Sequence, residues 1–218
     1  MRGARGARNR GTEKDKIFCP FYVKTGACRH GLKCSRQHVV DPPTRTLLVP
    51  NMWANPAVAM GLPLAGADSA TEAQQDAFED FFAEVHQEMS TYGVIETMHV
   101  LDNAADHLVG NVYIKYRENA MATKMLEANL GRFYAGRVIM PEYSPVPNFN
   151  DGRCRQYDNG NCNRGGLCNF LHIKKLTPNM GKDMRYRQDL ALYNYEKKKR
   201  EEAMRDDDED AGMDARAS

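Results

Sequence analysis

Cys19, Cys28, Cys34 and His38 follow the spacing Cys-x8-Cys-x5-Cys-x3-His, and Cys154, Cys162, Cys168 and His172 repeat it as Cys-x7-Cys-x5-Cys-x3-His. The two sets take up all 6 cysteines of the chain. Three thiolates and one imidazole fill the four positions of tetrahedral zinc and leave none open. Each set therefore reads as a structural site, with two Zn2+ per chain and no catalytic metal. Thiolates bind as anions and the imidazole as a neutral ligand, so each short segment is expected to fold only with its metal. A disulfide framework would leave the repeated histidine without a reason.

The sets are also an internal repeat. Tyr22 and Tyr157 each stand three residues after the first cysteine. Gly26 and Gly160 precede the second cysteine by two, and Gly31 and Gly165 follow it by three, where tight turns must bring the thiolates together. Phe21, Tyr22, Tyr157 and Phe170 offer faces on which unstacked bases can lie. Arg29, Arg36, Arg155 and Arg164 offer phosphate contacts or a fork for a guanine edge, and Ser35 and Gln156 beside them complete the candidate RNA-binding set. Packing against the zinc core is the alternative for any one of these aromatics.

Composition agrees with an intracellular binding protein. Hydrophobic residues make up 42% and charged residues 27% of the chain. No run is apolar and long enough for a membrane span, and the Arg/Gly-rich start lacks an apolar signal core. Residues 1–45 carry 11 Lys+Arg against 3 Asp+Glu, whereas residues 46–141 carry 5 against 12. Two basic flanks around an acidic middle imply different partners, a polyanion for the flanks and a basic one for the middle. His30, His86, His99 and His107 show no ligand spacing, and no nucleophile–base constellation or phosphate-binding loop is apparent, so no enzyme is expected.

The elements that position the two sets are legible in outline. An α+β, βαββαβ order of the RNA-recognition (ferredoxin-like) kind runs through residues 43–147. It has strands near Arg45–Asn51, Val94–Leu101, Leu108–Tyr116 and Arg137–Glu142, and helices near Glu72–Tyr92 and Asn119–Asn129. Thr71 and Gln74 form a capping box, and Phe78, Phe81, Phe82, Val85, Met89 and Tyr92 keep helical spacing as a core stripe. Around this domain lie a start at 1–12 expected to be disordered, fingers at 13–42 and 148–175, a charged helix at 176–205 and an acidic, disordered tail at 206–218.

An RNA-recognition sheet carries stacking aromatics on its central strands. Here Asn111 and Leu48 stand in two of those places, and only Tyr113 remains. Such a sheet stacks bases poorly, so the middle domain is not expected to read RNA in the ordinary way. Its first helix carries Asp76, Asp80, Glu84 and Glu88 at every fourth position. Like charges at that spacing destabilise a helix by roughly 0.2–0.5 kcal/mol per pair, which points to a basic partner.

The runs Cys28-Arg29-His30-Gly31, Cys34-Ser35-Arg36, Asp106 to Tyr113 and Arg164 to Phe170 resemble the small subunit of the U-two snRNP auxiliary factor, over about Gly11 to Lys175. The resemblance implies a nuclear splicing-factor subunit that recognises the AG of 3′ splice sites in single-stranded pre-mRNA. It also implies a heterodimer with the large subunit, through a basic, tryptophan-bearing peptide held by Asp80, Glu84 and Glu88 and by Arg132-Phe133-Tyr134. Phe133 stands where that family usually has tryptophan, and no Arg/Ser-repeat tail is present. Two other readings stay open at this stage: a Cys3His protein acting in mRNA decay or processing, and a zinc-stabilised interaction scaffold.

Overall fold

The computed structural model describes residues 17–61 and 71–214. The Arg/Gly-rich start therefore lies outside the described residues, as do residues 215–218 and the side chains of 206–214.

A four-stranded antiparallel sheet forms the centre, built from β1 (Thr46–Val49), β2 (Ile95–Val100), β3 (Val112–Tyr116) and β6 (Glu142–Tyr143). Across the sheet the strands run in the order β2-β3-β1-β6. A short helix α1 (Pro20–Thr25) lies in the first finger, and α2 (Pro56–Ala59) follows β1. Two longer helices, α3 (Glu72–Ser90) and α4 (Asn119–Asn129), cover one face, completing the βαββαβ order. The capping box is formed from both sides: the Gln74 backbone N–H donates to the Thr71 hydroxyl at 3.3 Å, and the Thr71 N–H to the Gln74 side chain at 3.0 Å. Beneath α3, Phe78, Phe81, Phe82, Val85 and Met89 join Leu47, Val49, Val112, Ile114 and Tyr116 in the main core.

The last strand differs from the sequence expectation. Arg137–Val138 (β5) pairs with Phe133–Tyr134 (β4) as a separate hairpin, and the sheet is completed five residues later by β6 against Leu47 and Leu48. Ala135 and Gly136 both have positive φ (47 and 76), the geometry of a two-residue hairpin turn. Pro141 then ends the hairpin before β6 begins.

The opposite face of the sheet is also buried. Leu48, Leu101, Leu108, Tyr113, Val146, Phe149 and Leu171 form a second core there. Tyr113, the remaining aromatic of the stacking platform, is 0% exposed, and its hydroxyl donates to the Thr25 carbonyl of the first finger. Phe149 meets its ring edge-on at 5.6 Å. Leu48 and Asn111 thus replace aromatics on a face that packs against protein instead of bases. Asn111 is a staple: it accepts from the Asn51 N–H at 3.1 Å and donates to the His107 carbonyl at 3.0 Å.

Gly110 is required where the chain enters β3. Its φ is +63, and an added Cβ would meet the Trp53 carbonyl oxygen at 2.1 Å. Gly136 has φ +76 but open space around it. Left-handed backbone alone costs a non-glycine residue roughly 1–2 kcal/mol. Gly110→Ala is therefore expected to lower the thermal midpoint well beyond Gly136→Ala; equal shifts would show that the Trp53 contact gives way at no cost.

The C-terminal helix α6 (Pro178–Asp214) runs past the Arg205 boundary expected from sequence and is helical through Asp206–Asp210. Its start docks on the body, with Met184 buried in the main core and Leu176 and Met180 packed against it. Farther along, Glu196 and Lys199 pair with Arg117 and Glu118 at 3.1 and 2.6 Å. Exposed (i, i+4) pairs of Lys197 with Glu201 and Lys198 with Glu202 add a few tenths of a kcal/mol each, which helps a polar helix persist.

Candidate metal centres and nucleic-acid interface

In each finger the local chain folds the same way. The first cysteine precedes a short helix, α1 in finger 1 and α5 (Arg155–Asp158) in finger 2. Gly26, at φ 71, closes α1 with its N–H on the Tyr22 carbonyl and turns the chain back toward Cys28. A 3-10 turn then leads into the third cysteine, Gly31–Lys33 before Cys34 and Gly165–Leu167 before Cys168.

The ligand atoms of Cys19, Cys28, Cys34 and His38 all lie within 4.8 Å of one another, and so do those of Cys154, Cys162, Cys168 and His172. Sulfur pairs stand 3.9 Å apart in finger 1 and 3.7 and 3.9 Å apart in finger 2. Zn–S bonds of about 2.3 Å at the tetrahedral angle put two sulfurs about 3.8 Å apart. His38 Nε2 and both ring nitrogens of His172 are buried without a hydrogen-bond partner, and a metal bound to one nitrogen of each ring answers that need at one atom per histidine. Burial pushes the Cys28 thiol up to about 11 and raises that of Cys154. Burial, with the Arg164 charge second, pushes the His172 imidazole down to about 4, leaving it neutral as a ligand must be. A dication supplies the charge that these thiols need to ionise. The residues fit zinc, and the chain holds two zinc ions.

The repeated tyrosines belong to these centres. Tyr22 stacks on His38 at 4.3 Å and Tyr157 on His172 at 4.1 Å, both nearly parallel. Tyr157 is 1% exposed, so it presents no face to a base. Packing, the alternative weighed for single aromatics, holds for this one.

Finger 2 is fastened to the end of β2 by two adjacent residues that carry no signal in the sequence. The Asp102 carboxylate accepts from Asn55 at 2.6 Å and from the Tyr157 hydroxyl at 2.9 Å, and Lys174 stands 3.5 Å away. The Asn103 carboxamide donates to the carbonyls of Cys168 and Phe170 and accepts from the His172 N–H at 2.9 Å. Each is almost wholly buried. No spacing rule marks such a staple in one sequence, because its partners lie some 65 to 69 residues away.

The fingers meet. Phe21 of finger 1 and Phe170 of finger 2 have ring centroids 5.9 Å apart. Phe21, Arg29, Ser35 and Arg36 share one cleft beside the first centre. Arg155 and Gln156 are exposed on α5 but do not line that cleft. Arg164 is exposed but folds over the second centre: it donates to Cys168 Sγ at 3.2 Å and to Gln156 at 3.0 Å, and its guanidinium lies 5.8 Å from the Phe170 ring. The two fingers thus differ, with an open arginine pair in the first and an arginine folded onto thiolates in the second. His107, set aside on sequence grounds, also reaches the cleft. Burial, with the Arg29 charge second, lowers its pKa.

A second site lies on the other side of the domain. Val85 and Met89 of α3, together with Met52, Ile139 and the β4–β5 hairpin, enclose a cavity of about 390 Å3. Glu84, Glu88, Arg132, Phe133 and Tyr134 line its mouth. Arg132 donates to Glu88 at 3.0 Å and to Asn129 at 2.9 Å, and Tyr134 to Glu84 at 3.2 Å. The Arg132 hydrogen bond, and then that of Tyr92, lowers the Glu88 pKa. Asp76 and Asp80 are exposed farther up the same helix, and Phe133 is 74% exposed.

The family of the zinc finger C-x8-C-x5-C-x3-H type matches residues 19–40. The chain is similar to a splicing factor U2af small subunit of Arabidopsis thaliana, 44% identical over 82% of this chain and 64% of that protein. Its counterpart in Oryza sativa subsp. japonica is 46% identical over 76% of this chain and 55% of its own length. The splicing factor U2AF 23 kDa subunit of Schizosaccharomyces pombe is 40% identical over 88% of both chains. The chain thus spans less than two thirds of these plant relatives and most of the fission-yeast one.

Proposed function

This chain belongs to the family of splicing factor U2AF small subunits, and we infer that it recognises the AG of 3′ splice sites through its paired fingers while its middle domain holds the large subunit. The family is one of splicing factors that bind RNA and not one of enzymes. The nucleus, where splicing takes place, is the compartment this reading assigns. The observation that carries the RNA half is the contact of Phe21 with Phe170, which lets two zinc-built surfaces act on one short stretch of RNA. The sheet face is covered by the fingers, so single-stranded RNA has the fingers and not the sheet to meet. A titration of the zinc-loaded chain with AG and CG oligonucleotides at fixed salt tests this, since phosphate contacts depend on salt and not on sequence. Equal affinities would remove the AG assignment.

The partner half rests on the cavity beside α3. An apolar floor of Met52, Val85, Met89 and Ile139 suits a buried ring, and the acidic residues at its mouth suit flanking Lys or Arg. Glu84 and Glu88 are already engaged by Tyr134 and Arg132, so a basic peptide would compete with those bonds or extend toward Asp80 and Asp76. Linking the two subunits raises the effective concentration of each RNA-binding module on one transcript.

Replacing Glu84 and Glu88 together by lysine turns two attractions into repulsions. At exposed positions that comes to about 1–3 kcal/mol, or roughly five- to 150-fold in peptide affinity. Calorimetric titration of a basic, tryptophan-containing peptide into the full chain reads it, with the Gln pair as a control that removes charge without reversing it. Unchanged affinity in the lysine variant would make the acidic stripe a merely solvated face.

A further inference from the structure

The two zinc centres share one plan but are not equally covered. In both fingers 5 residues separate the second cysteine from the third, so His30 and Arg164 hold the same place, two residues after the second cysteine. Their backbones are alike, at φ −89 and ψ −11 for His30 and φ −86 and ψ −10 for Arg164. The side chains do different things. Arg164 Nε donates to Cys168 Sγ at 3.2 Å, and its Nη2 stands 3.9 Å from Cys154 Sγ. Gln156, which accepts from Nη2 at 3.0 Å, and the Phe170 ring hold the guanidinium there. His30 instead accepts from Arg29 at 3.3 Å and is exposed. Among the described residues, no side-chain N–H is bonded to a sulfur of the first centre.

The surroundings repeat the contrast. Cys168 and His172 are 0% exposed, and Asn103 holds the backbone at both, donating to the Cys168 carbonyl and accepting from the His172 N–H. Their counterparts in finger 1, Cys34 and His38, are half-buried.

A zinc-bound thiolate keeps lone pairs through which it meets electrophiles or leaves the metal. A hydrogen bond from a charged donor is about twice as strong as a neutral one. An arginine aimed at two sulfurs of one centre therefore stabilises the anionic ligands and also covers them. Groups that bond to a metal's ligands in this way are worth about 10–100-fold in metal affinity. We propose that Arg164 is a positioning residue that locks the second centre, and that the first centre, which has no counterpart to it, is the one that gives up its zinc. Finger 1 is then the labile half of the pair, where zinc scarcity or a thiol-reactive electrophile acts first. Arg164 thereby has a task other than the RNA contact expected of its residue type, and no RNA is needed to test it.

The full chain is loaded with two zinc ions and given excess chelator, and released zinc is followed with a colorimetric indicator. Quenching with iodoacetamide at intervals, then mass spectrometry of the peptides, tells the cysteines of finger 1 from those of finger 2. The unaltered chain is expected to release zinc in two phases and to label Cys19, Cys28 and Cys34 first. Arg164→Gln is expected to speed the second phase about tenfold or more and to leave the first unchanged. His30→Arg, on backbone of the same conformation, is expected to slow the first phase, and it carries the comparison should Arg164→Gln fail to load its second ion. A hydrogen bond to sulfur lowers the energy of the sulfur lone pair. In the cobalt(II)-loaded chain Arg164→Gln is therefore expected to move the thiolate-to-cobalt absorption to longer wavelength, and Arg164→Lys, which keeps the charge without the fork, to move it less. A single release phase, or finger 2 labelled first, overturns the difference between the centres. An unchanged second phase in Arg164→Gln overturns the part assigned to Arg164. So does a faster phase with the cobalt spectrum unmoved, which would leave Arg164 a packing residue alone.

Discussion

Removing zinc is expected to unfold both fingers and to loosen the middle domain with them. Structural zinc contributes about 10–16 kcal/mol to the folding of isolated finger peptides. That is as much as the roughly 5–15 kcal/mol that holds a whole domain together. The fingers here are more than appendages. Tyr113 and Leu48 are buried only because finger 1 and the segment leading to finger 2 lie over the sheet. Losing Asn103's hold on Cys168, Phe170 and His172 strips three hydrogen bonds from the end of β2. The α3–α4 side has its own core, so much of the helix signal is expected to survive. Chelation should therefore abolish the near-ultraviolet circular dichroism of Tyr22, Tyr113 and Tyr157 and expose dye-binding apolar surface, while far-ultraviolet signal falls only in part. Metal analysis of the native chain should give two zinc ions. One zinc per chain, or cysteines in disulfides, would sink the two-centre assignment.

Much of this was legible in the sequence because it depended on local spacing. The eight ligands, the repeated tyrosine and the capping box each involve residues within one short segment, where residue type and interval carry the geometry. The acidic stripe on α3 was readable for the same reason, since helical periodicity alone puts Asp76, Asp80, Glu84 and Glu88 on one face.

What escaped was set by contacts between distant segments. The pattern Arg137–Glu142 looks like one strand, but positive φ at Ala135 and Gly136 turns it into a hairpin partner of Phe133–Tyr134. That hairpin completes the mouth of the α3 cavity, so the misplaced strand and the cavity proposed for the partner are one piece of geometry. The loss of stacking aromatics at Leu48 and Asn111 was visible, but not its cause, which is that the fingers bury that face. His107 gave no signal because its neighbours in the cleft, Arg29 and Asn169, lie 78 residues before it and 62 after it. Arg164 has the residue type of an RNA contact, and only the structure shows its side chain already bonded to Cys168 Sγ.

The central claim is that the two fingers act as one reader, and it is tested most directly by removing them one at a time. A discriminating hydrogen-bonded base contact is worth about 1–3 kcal/mol, and a stacked base about 1–3 kcal/mol more. A finger of some twenty residues, with part of its surface spent on zinc and part on the sheet, has few groups left for both tasks. Phe21 and Phe170, one from each finger, stand 5.9 Å apart, close enough to serve one dinucleotide. Asn169 of finger 2 lines the cleft of finger 1, so damage to either finger reaches the same cleft. The measurement is the AG-to-CG affinity ratio at fixed salt for Cys34→Ala, Cys168→Ala and the double variant, each with its zinc content determined. Either single change is expected to leave one zinc ion and to remove most of the ratio, and the double change to add little. Losses that add up from the two single variants to the double would mean that each finger reads alone, and would contradict the shared site.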